Sequence, residues 1–366
     1  MNHKKNKLIE TGLTEELLLT LTEPEYEDFS IGRVTQEHRE RYVVYDGENE
    51  YNAEVTGNMR FSAASRSDFP AVGDWVAMKV YDGFQAIIYK ILPRKTVLER
   101  QAAGGEGEKQ IISANIDAAF IVQAVTNDFS INRLERYLAI CYKSGIEPVL
   151  VLSKTDLATE DEIRKALEML EIRDGKVKYF LLSNRTMEGF DKIVEYIRKG
   201  NTYCVVGSSG VGKSTLINNL LKKNLLKTGE ISSHTNRGRH ISDHRELFIL
   251  DNGGIIIDTP GMREIGIADA GEGITQIFGD ISDIARNCRF PDCTHINEKG
   301  CAVLSALNAG AINSKSYENY LKLRKEQEHF QETVHEKRRK EKIFGKILKD
   351  YQKKMDRQDK DNASGD

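Results

Sequence analysis

"VVGSSGVGKSTL", residues 205–216, is the stretch that decides the fold. From Gly207 to Ser214 it matches the pattern G-x-x-x-x-G-K-[ST], after an apolar strand-like run and before a helical pattern. In such a loop, successive backbone N–H groups point at phosphate oxygens and the helix N-terminus adds positive potential. We expect Lys213 to reach the terminal phosphates and Ser214 to coordinate Mg²⁺. The predicted loop comprises Gly207, Ser208, Ser209, Gly210, Val211, Gly212, Lys213, Ser214 and Thr215.

A second stretch, "VLSKTDL" at residues 151–157, indicates which base the site binds. The carboxylate of Asp156 can accept hydrogen bonds from both the N1–H and the 2-amino group of guanine, a donor pair that adenine lacks. The stem of Lys154 can cover the base. We therefore expect Ser153, Lys154, Thr155 and Asp156 to bind guanine.

Two further strand ends complete the predicted site. "LLSN", residues 181–184, follows the next apolar run, and we expect the Ser183 N–H to meet guanine O6, although a plain strand end is the alternative. "DTPG", residues 258–261, ends another apolar run. Its Asp258 is expected in the coordination sphere of the metal, and the Gly261 N–H at the γ-phosphate. Together with the phosphate loop, these motifs predict a GTP site rather than a general nucleotide site.

The order of these motifs along the chain is unusual. In ordinary GTPases the phosphate loop comes first and the base loop last, whereas here the base loop precedes the phosphate loop. Joining the old chain ends and cutting just after "DTPG" would preserve the sheet and the pocket while changing only the connections. The sequence therefore predicts a circularly permuted G domain whose switch loop runs straight into the C-terminal region.

The pattern of apolar runs predicts a multidomain α/β protein. Apolar runs alternate with helical patterns between residues 117 and 206, which indicates a parallel sheet covered on both faces, with ligands at the carboxyl ends of its strands. Nearer the N-terminus, short stretches in which apolar and polar residues alternate predict about five strands, which fit a barrel of the OB-fold type. The Gly-rich stretch 102–109 is predicted to be a flexible linker or mobile loop. The expected segments are a helical extension at 1–25, an OB-fold RNA-binding domain at 26–101, a permuted G domain at 102–267, a zinc-binding domain at 268–325, and a basic helical tail with a disordered end at 326–366.

Composition excludes several classes of protein. The chain has 366 residues, 30% of them charged, with a formal net charge of −3, so any basic surface for nucleic acid must be local. The N-terminus carries acidic residues where a signal peptide needs an apolar core, and no apolar run approaches the roughly 20 residues of a membrane span. We expect a cytoplasmic protein without a membrane partner.

A cluster of cysteines predicts a metal site. "CRFPDCTHINEKGC", residues 288–301, contains Cys288, Cys293, His295 and Cys301. Three thiolates and one imidazole meet the ligand count of a closed tetrahedral Zn²⁺ site with no position left for water. We therefore expect one structural zinc ion, with chance clustering of reduced cysteines as the alternative.

The C-terminal region is strongly basic. Residues 316–355 are helical in composition, and "KRRKEK" occupies residues 337–342. Two interpretations stay open: a solvated helix face, or a helix that contacts RNA phosphates.

Taken together, the chain resembles the RsgA family of circularly permuted GTPases that act in biogenesis of the bacterial small ribosomal subunit. The resemblance covers roughly residues 30–325. It rests on the cysteine cluster and on "DFPAVGDWV", "NIDAAFIV", "RLERYLAI", "GSSGVGKSTLIN", "RGRH", "HRELF" and "IDTPGMRE". It implies slow GTP hydrolysis stimulated by the small subunit, contact with 16S rRNA, an OB-fold, a permuted G domain and a zinc domain.

The sequence departs from the family and from other GTPases at three points. Ser153 stands where many GTPases have Asn, which predicts a weaker bracing hydrogen bond to the phosphate loop. In the switch I stretch "RGRHISDHRELF" the nearest hydroxyl for Mg²⁺ is Ser242, with Thr235 as a competitor. Met262 follows "DTPG" and cannot orient water, so His240 or a partner would have to do so. A surface role for His240 is the alternative.

These features predict a GTPase that assists late maturation of the small (30S) ribosomal subunit. We expect it to bind 16S rRNA as a monomer, to use GTP/GDP with Mg²⁺, and to act as a timer that is slow until the subunit stimulates it. Two rivals remain: a P-loop ATPase or kinase, which Asp156 disfavours, and a nucleotide-regulated RNA-binding adaptor whose turnover is incidental.

Overall fold

The computed structural model describes residues 2–38, 41–81, 83–101, 109–126, 129–174, 177–223, 245–259, 271–329 and 331. Several predicted features lie outside these residues: His240, Ser242, Thr235, Gly261, Met262, residues 102–108 of the Gly-rich stretch, and the basic run at 337–342.

The strands within the described residues are β1 (Ser30–His38), β2 (Arg41–Tyr45), β3 (Glu50–Val55), β4 (Trp75–Tyr81), β5 (Gln85–Ile91), β6 (Val97–Gln101), β7 (Lys109–Ala114), β8 (Ala118–Ala124), β9 (Glu147–Ser153), β10 (Lys178–Leu182), β11 (Thr202–Val206), β12 (Arg245–Ile249) and β13 (Ile255–Asp258). The α-helices are α1 (Asn2–Glu10), α2 (Glu15–Thr20), α3 (Gly57–Ser62), α4 (Ile131–Lys143), α5 (Glu160–Asp174), α6 (Phe190–Tyr196), α7 (Lys213–Leu221), α8 (Gly271–Ile277), α9 (Gly279–Ala285) and α10 (Ala302–Asn308). Residues 314–329 are also helical.

The first five strands form a closed barrel. They lie in the order β1-β2-β3-β5-β4, and a further pairing of β1 with β4 closes the ring. Inward-facing side chains of all five strands fill one apolar cluster that includes Val34, Val44, Ala53, Val76 and Ile88. Alternation of buried and exposed residues, as in the pattern eBeBeB of β3, drives this arrangement because successive side chains point to opposite faces. The predicted OB-fold barrel is confirmed.

Strands β8 to β13 build an α/β layer. Their order is β10-β9-β8-β11-β13-β12, with parallel pairing throughout except for β12, which is antiparallel to β13. Apolar side chains of α4 and α5 cover one face of this sheet, and those of α6 and α7 cover the other. Every residue of β8 and β11 is buried, as the continuous apolar runs of the sequence predicted.

Strands β6 and β7 pair with each other as an antiparallel ladder from Val97↔Ala114 to Gln101↔Lys109. The stretch 102–109, predicted to be a flexible linker or mobile loop, is therefore one residue too long, because Lys109 belongs to a strand. The described residues on either side of 102–108 are paired partners, so the stretch connects two strands rather than two domains.

The barrel and the α/β layer share one eleven-stranded sheet, because β12 pairs with β1. The pairing is short, with the partners Gln36↔Glu246 and Glu37↔Arg245. Side chains reinforce both positions: Gln36 Nε2 donates to Glu246 Oε1 at 2.8 Å, and Arg245 Nη1 lies 2.9 Å from Glu37 Oε2.

The predicted helical extension at the N-terminus consists of two helices, α1 and α2. The helical conformation ends after α1, and the chain turns at Gly12, whose φ of +92° favours glycine. A Cβ there would lie 2.8 Å from Arg33 Nη1 and 2.9 Å from the Gly200 carbonyl oxygen. Leucines of both helices pack against Trp75 on the outside of the barrel.

Arg33 joins this extension to the rest of the molecule. Its guanidinium, only 1% exposed, donates to the Thr11 carbonyl, to the Gly73 carbonyl at 3.2 Å and to Thr202 Oγ1 at 2.9 Å. These acceptors belong to the N-terminal segment, the barrel and strand β11. A buried charge satisfied from three directions fixes their relative placement, since each acceptor is costly to leave unpaired.

The C-terminal region packs α8, α9, α10 and the helix 314–329 around a separate apolar cluster that includes Phe278, Ile281, Val303 and Leu323. Two cysteines of the predicted metal cluster, Cys293 and Cys301, belong to this core. Among the described residues, no helix has the length and apolarity needed to cross a membrane.

The barrel contains a buried ion pair next to the single tryptophan of the chain, Trp75. Asp74 is fully buried, and both of its carboxylate oxygens accept from Arg94 at 2.8 Å. The Ala71 N–H also donates to this carboxylate at 2.8 Å. Burial raises the pKa of Asp74, and the Arg94 guanidinium opposes that rise.

We expect Arg94→Met to lower the free energy of unfolding of the barrel by about 3–5 kcal/mol at neutral pH, because it leaves an uncompensated buried carboxylate. Urea unfolding followed by Trp75 fluorescence measures this loss. The control is Arg164→Met, which removes two exposed surface ion pairs, with Asp161 and Glu168, and should change stability by less than about 1 kcal/mol.

The same variant makes a prediction about pH. Removing Arg94 raises the folded-state pKa of Asp74 further. The folded protein loses the stability contributed by such a carboxyl group as the pH rises through the folded-state pKa. The defect should therefore be largest at neutral pH and shrink in acid, where Asp74 is protonated. A defect that does not change with pH would contradict this account.

Candidate nucleotide site and metal centre

The predicted nucleotide loops lie at one edge of the sheet. Ser153 ends β9, Ser183 follows β10, Gly207 follows β11 and Asp258 ends β13. Because these strands are parallel, their carboxyl ends meet at the same edge, where α/β proteins bind ligands. The base motifs lie on one side of the phosphate loop and Asp258 on the other, so the reversed chain order builds a continuous row of loops.

The phosphate loop depends on glycine at its two ends. Gly207 has φ +143°, and a Cβ there would lie 2.2 Å from the carbonyl oxygen of Val122 on the neighbouring strand β8. Gly212 has φ +97° and precedes α7 as its N-cap residue. The loop can therefore run close beside β8 and turn directly into the helix N-terminus, where backbone N–H groups favour an anion.

Lys213 and Asp258 provide the charges of the site. Lys213 Nζ donates to the Ser208 carbonyl at 2.5 Å, so the ammonium lies over the loop that is predicted to bind phosphates. Burial raises the pKa of Asp258 to about 6; the Lys213 charge lowers it, while Glu246 adds to the rise. A buried carboxylate is an oxygen ligand suited to Mg²⁺, and a lysine beside the predicted phosphate loop suits the phosphates of a nucleotide bound with that ion.

Asp156 lies in the loop that follows β9. This loop begins at Lys154, which takes the left-handed conformation with φ 60°. Asp156 Oδ1 accepts from Ser183 Oγ at 2.8 Å. That hydroxyl in turn accepts from the N–H groups of Arg185 and Thr186 at 3.3 and 3.0 Å. The loop after β10 therefore orients the carboxylate that is predicted to read the base.

Ser183 differs from its prediction in one respect. Its N–H was expected to meet guanine O6, but this N–H donates to the Glu188 carbonyl at 3.1 Å. A tight turn that begins at Ser183 uses the amide internally and leaves the hydroxyl to position Asp156.

The brace between base loop and phosphate loop is present despite the serine at position 153. Ser153 is fully buried, and its hydroxyl donates to the Val211 carbonyl at 2.6 Å. Asn184 Nδ2 adds a second bond to the Gly212 carbonyl at 3.0 Å. A close serine and a neighbouring asparagine therefore share the bracing of this loop, and the weaker bracing expected from the replacement of Asn stays a prediction.

Sequence reasoning missed two residues that contact the phosphate loop. Asn184 stands in the quoted "LLSN" motif, and its position after a strand end was the available signal. Arg133, in α4, donates from Nη1 to Ser208 Oγ at 2.7 Å. Arg133 opens the quoted stretch "RLERYLAI", but that stretch gives no sign of this contact, which joins positions 75 residues apart in the chain.

The four predicted metal ligands converge in space. Cys288, Cys293, His295 and Cys301 present ligand atoms that all lie within 4.8 Å of one another. The Cys288 and Cys301 sulfurs are each 3.5 Å from His295 Nδ1 and 3.9 Å from each other. In a tetrahedron with zinc bonds of about 2.3 Å to sulfur and about 2.0 Å to nitrogen, the sulfur–nitrogen distance is about 3.5 Å and the sulfur–sulfur distance about 3.8 Å. The cluster therefore fits a structural Zn²⁺.

The surroundings fix these ligands. The Tyr317 hydroxyl donates to the His295 carbonyl at 2.6 Å, and His295 itself has a left-handed φ of 65°. Cys301 Sγ accepts from the Leu304 N–H at 3.4 Å, at the N-terminus of α10. Burial lowers the pKa of His295, and the Arg324 charge lowers it further, which keeps the imidazole in the neutral form that binds a metal.

Comparison with known proteins agrees with this arrangement. The model of the RsgA GTPase family matches residues 91–268. Small ribosomal subunit biogenesis GTPase RsgA 1 of Bacteroides thetaiotaomicron is 41% identical over 355 residues, covering 97% of this chain and 99% of that protein. Small ribosomal subunit biogenesis GTPase RsgA of Methanosarcina acetivorans is 45% identical over 256 residues, covering 69% of each chain.

Solved structures give the same result at the level of fold. The crystal structure of YjeQ from Thermotoga maritima aligns with a TM-score of 0.59 at 28% identity, covering 83% of this chain and 98% of that one. That of YloQ, a circularly permuted GTPase, gives 0.56 at 20% identity, covering 86% and 98%, and supports the permuted fold alone. The chain belongs to the RsgA GTPase family and is a GTP hydrolase.

Proposed function

We propose that this GTPase assists maturation of the small ribosomal subunit, binding 16S rRNA and hydrolysing GTP slowly until the subunit stimulates it. The observation that carries the proposal is the row of base, phosphate and Asp258 loops at one edge of the sheet. This row lies in the chain between the barrel and the C-terminal residues 271–329 with the Cys/His cluster, here called the metal-binding region. The relatives named as small ribosomal subunit biogenesis GTPases support the same partner. We further propose that the protein acts in the cytoplasm as a monomer.

In the proposed site, the protein binds guanine through Asp156 and phosphates through the loop amides and Lys213. Ser214 and Asp258, with Ser242, would hold the Mg²⁺ that neutralises charge on the phosphates. The Gly261 N–H would meet the γ-phosphate and His240 would position the attacking water. Ser153 and Asn184 hold the phosphate loop in place, because their side chains donate to carbonyl groups of that loop.

The connections of the fold suggest how nucleotide state would reach the ribosome. The stretch with the proposed switch I residues leads into β12, which pairs with β1 of the barrel. The stretch that begins at "DTPG" leads into α8 of the metal-binding region. Each proposed switch is thus tied to a different flanking domain, so loss of the γ-phosphate would alter both contacts at once.

We expect Asp156→Asn to weaken GTP binding by about 2–4 kcal/mol, since two hydrogen bonds from the base to a carboxylate are lost with partial compensation. Xanthosine triphosphate should bind better to this variant, because its 2-carbonyl suits an amide donor. Fluorescent nucleotide titration measures both affinities. The matched control is Asp161→Asn, an exposed carboxylate on α5, which should leave both unchanged. Equal losses for both nucleotides at Asp156→Asn would exclude a base-reading role.

Purified protein should contain about one zinc per chain by elemental analysis. Cys293→Ser should lower zinc occupancy and expose the segment 280–310 to protease, because metal binding contributes folding free energy to a region with a small core. Nucleotide binding should persist. Cys141→Ala, at a buried cysteine outside the cluster, should retain full zinc. Complete protease resistance after zinc removal would argue against a structural metal.

GTP turnover should rise with added small ribosomal subunits and stay low with large subunits or naked RNA at the same salt concentration. We expect Ser214→Ala to depress basal and stimulated rates together by disturbing Mg²⁺, and His240→Ala to remove mainly the stimulation. Initial-rate measurements against each partner decide the matter. Equal stimulation by all three would favour an RNA-binding adaptor with incidental turnover.

Charge reversal at Lys337, Arg338 and Arg339 should weaken binding to the small subunit and reduce its salt dependence, because fewer counterions are released from RNA phosphates. GTP affinity of the free protein should stay the same. Sedimentation with small subunits at several salt concentrations measures the slope. An unchanged slope would assign the basic run to a solvated helix.

A further inference from the structure

We infer that helix α4 couples the phosphate loop to the metal-binding region, and that Arg133 is the positioning residue at the nucleotide end of this connection. The inference rests on the proposed function, since it takes the loop to bind the phosphates of GTP. It adds a second route between nucleotide and C-terminal region, separate from the chain connection after Asp258.

Ser208 is the point where α4 and the nucleotide site meet. Its hydroxyl accepts from Arg133 Nη1 at 2.7 Å, and its carbonyl accepts from Lys213 Nζ at 2.5 Å. When Lys213 turns to the phosphates, the Ser208 carbonyl loses a charged donor, whereas the hydroxyl still holds Arg133. A change in the conformation of the loop at Ser208 is therefore transmitted directly to the first turn of α4.

The next turns of α4 contact the C-terminal helix 314–329. Arg136 Nη2 donates to both carboxylate oxygens of Glu326, at 2.7 and 2.9 Å. The neighbouring Glu135, which is 1% exposed, accepts from Nδ2 of Asn319, which is 3% exposed. Buried polar pairs of this kind allow few alternative arrangements, because a displaced partner leaves a desolvated group unsatisfied.

The far end of α4 packs against α8 without space between them. A Cβ on Gly273 would lie 2.0 Å from the Ala139 carbonyl oxygen, so the two helix backbones are in contact. Ala139 also belongs to the apolar cluster of the metal-binding region, together with Cys293 and Cys301. Since α4 is a continuous helix of 13 residues, a shift of its first turn moves the surface that supports this cluster.

Coupling of this kind is reciprocal, so it is measurable from both ends. The experiment uses the full-length, zinc-loaded protein and measures affinity for fluorescent GDP and for a non-hydrolysable GTP analogue. It compares wild type, Arg133→Gln, Arg136→Gln and the double variant. Arg164→Gln, on the exposed face of α5, is the matched control. Hydrogen exchange of residues 314–329, with and without nucleotide, reads the other end.

We expect Arg136→Gln to change the ratio of the two affinities by about fivefold, although its side chain contacts the C-terminal helix. Arg133→Gln should produce a similar change, and the double variant should fall short of the product of the two. In wild type, nucleotide should alter exchange in residues 314–329, and this response should be lost in Arg133→Gln while nucleotide still binds. Arg133→Lys should restore part of it, since an ammonium can still donate to Ser208.

Independent effects of the two variants, or an exchange response that survives Arg133→Gln, would overturn the inference. Glu326→Gln, which removes charge from the partner of Arg136 without altering α4, guards against a variant that merely unfolds the helix. Wild-type affinity for GDP is measured first and tests the proposed site by itself. A protein that binds GDP normally but shows no coupling therefore refutes only the role of α4.

Discussion

The structure depends on the position of strand β11 between two parallel neighbours, β8 and β13. This pairing places the phosphate loop at the centre of the sheet edge and requires its first residue to pass close to β8. At Gly207 any side chain would overlap the Val122 carbonyl. The pairing of β11 with β8 therefore requires glycine at this position. The base loops then fall on one side of the nucleotide site and Asp258 on the other, whichever strand the chain visits first.

Permutation is tolerated because hydrogen bonds across the sheet hold the loops together. Ser153 reaches the carbonyl of Val211 across 58 positions of the chain, and Asn184 reaches Gly212 across 28. The two bonds are 2.6 and 3.0 Å long and at least partly buried; losing the Ser153 bond would cost about 1–3 kcal/mol, whereas the Gly212 carbonyl would still accept from the Leu216 N–H. Cutting the connection elsewhere removes none of them.

Sequence patterns predicted the parts of the molecule whose chemistry is local. The phosphate loop, the apolar strands and the zinc ligands each occupy one continuous stretch, and their residue types leave few alternatives. Arg33 and Arg133 were missed because their partners are distant in the chain. Arg33 reads as an ordinary strand residue until its acceptors converge on it, and Arg133 as an ordinary helix residue. The turn at Ser183 was missed because its internal Glu188 bond leaves no pattern.

One strand, β12, links the barrel to Asp258, the proposed Mg²⁺ ligand. On β12, Glu246 pairs with Asp258 of β13 on one side and with Gln36 of the barrel on the other. Its carboxylate accepts from Gln36 at 2.8 Å, and it adds to the effect of burial, which is the main cause that raises the pKa of Asp258 to about 6. A carboxylate in that environment gains most from a nearby cation, so binding of Mg²⁺ with nucleotide would relieve repulsion across β12. The barrel, through Gln36, therefore holds a charge next to the proposed Mg²⁺ ligand Asp258, whereas we infer that the metal-binding region acts on the phosphate loop through α4.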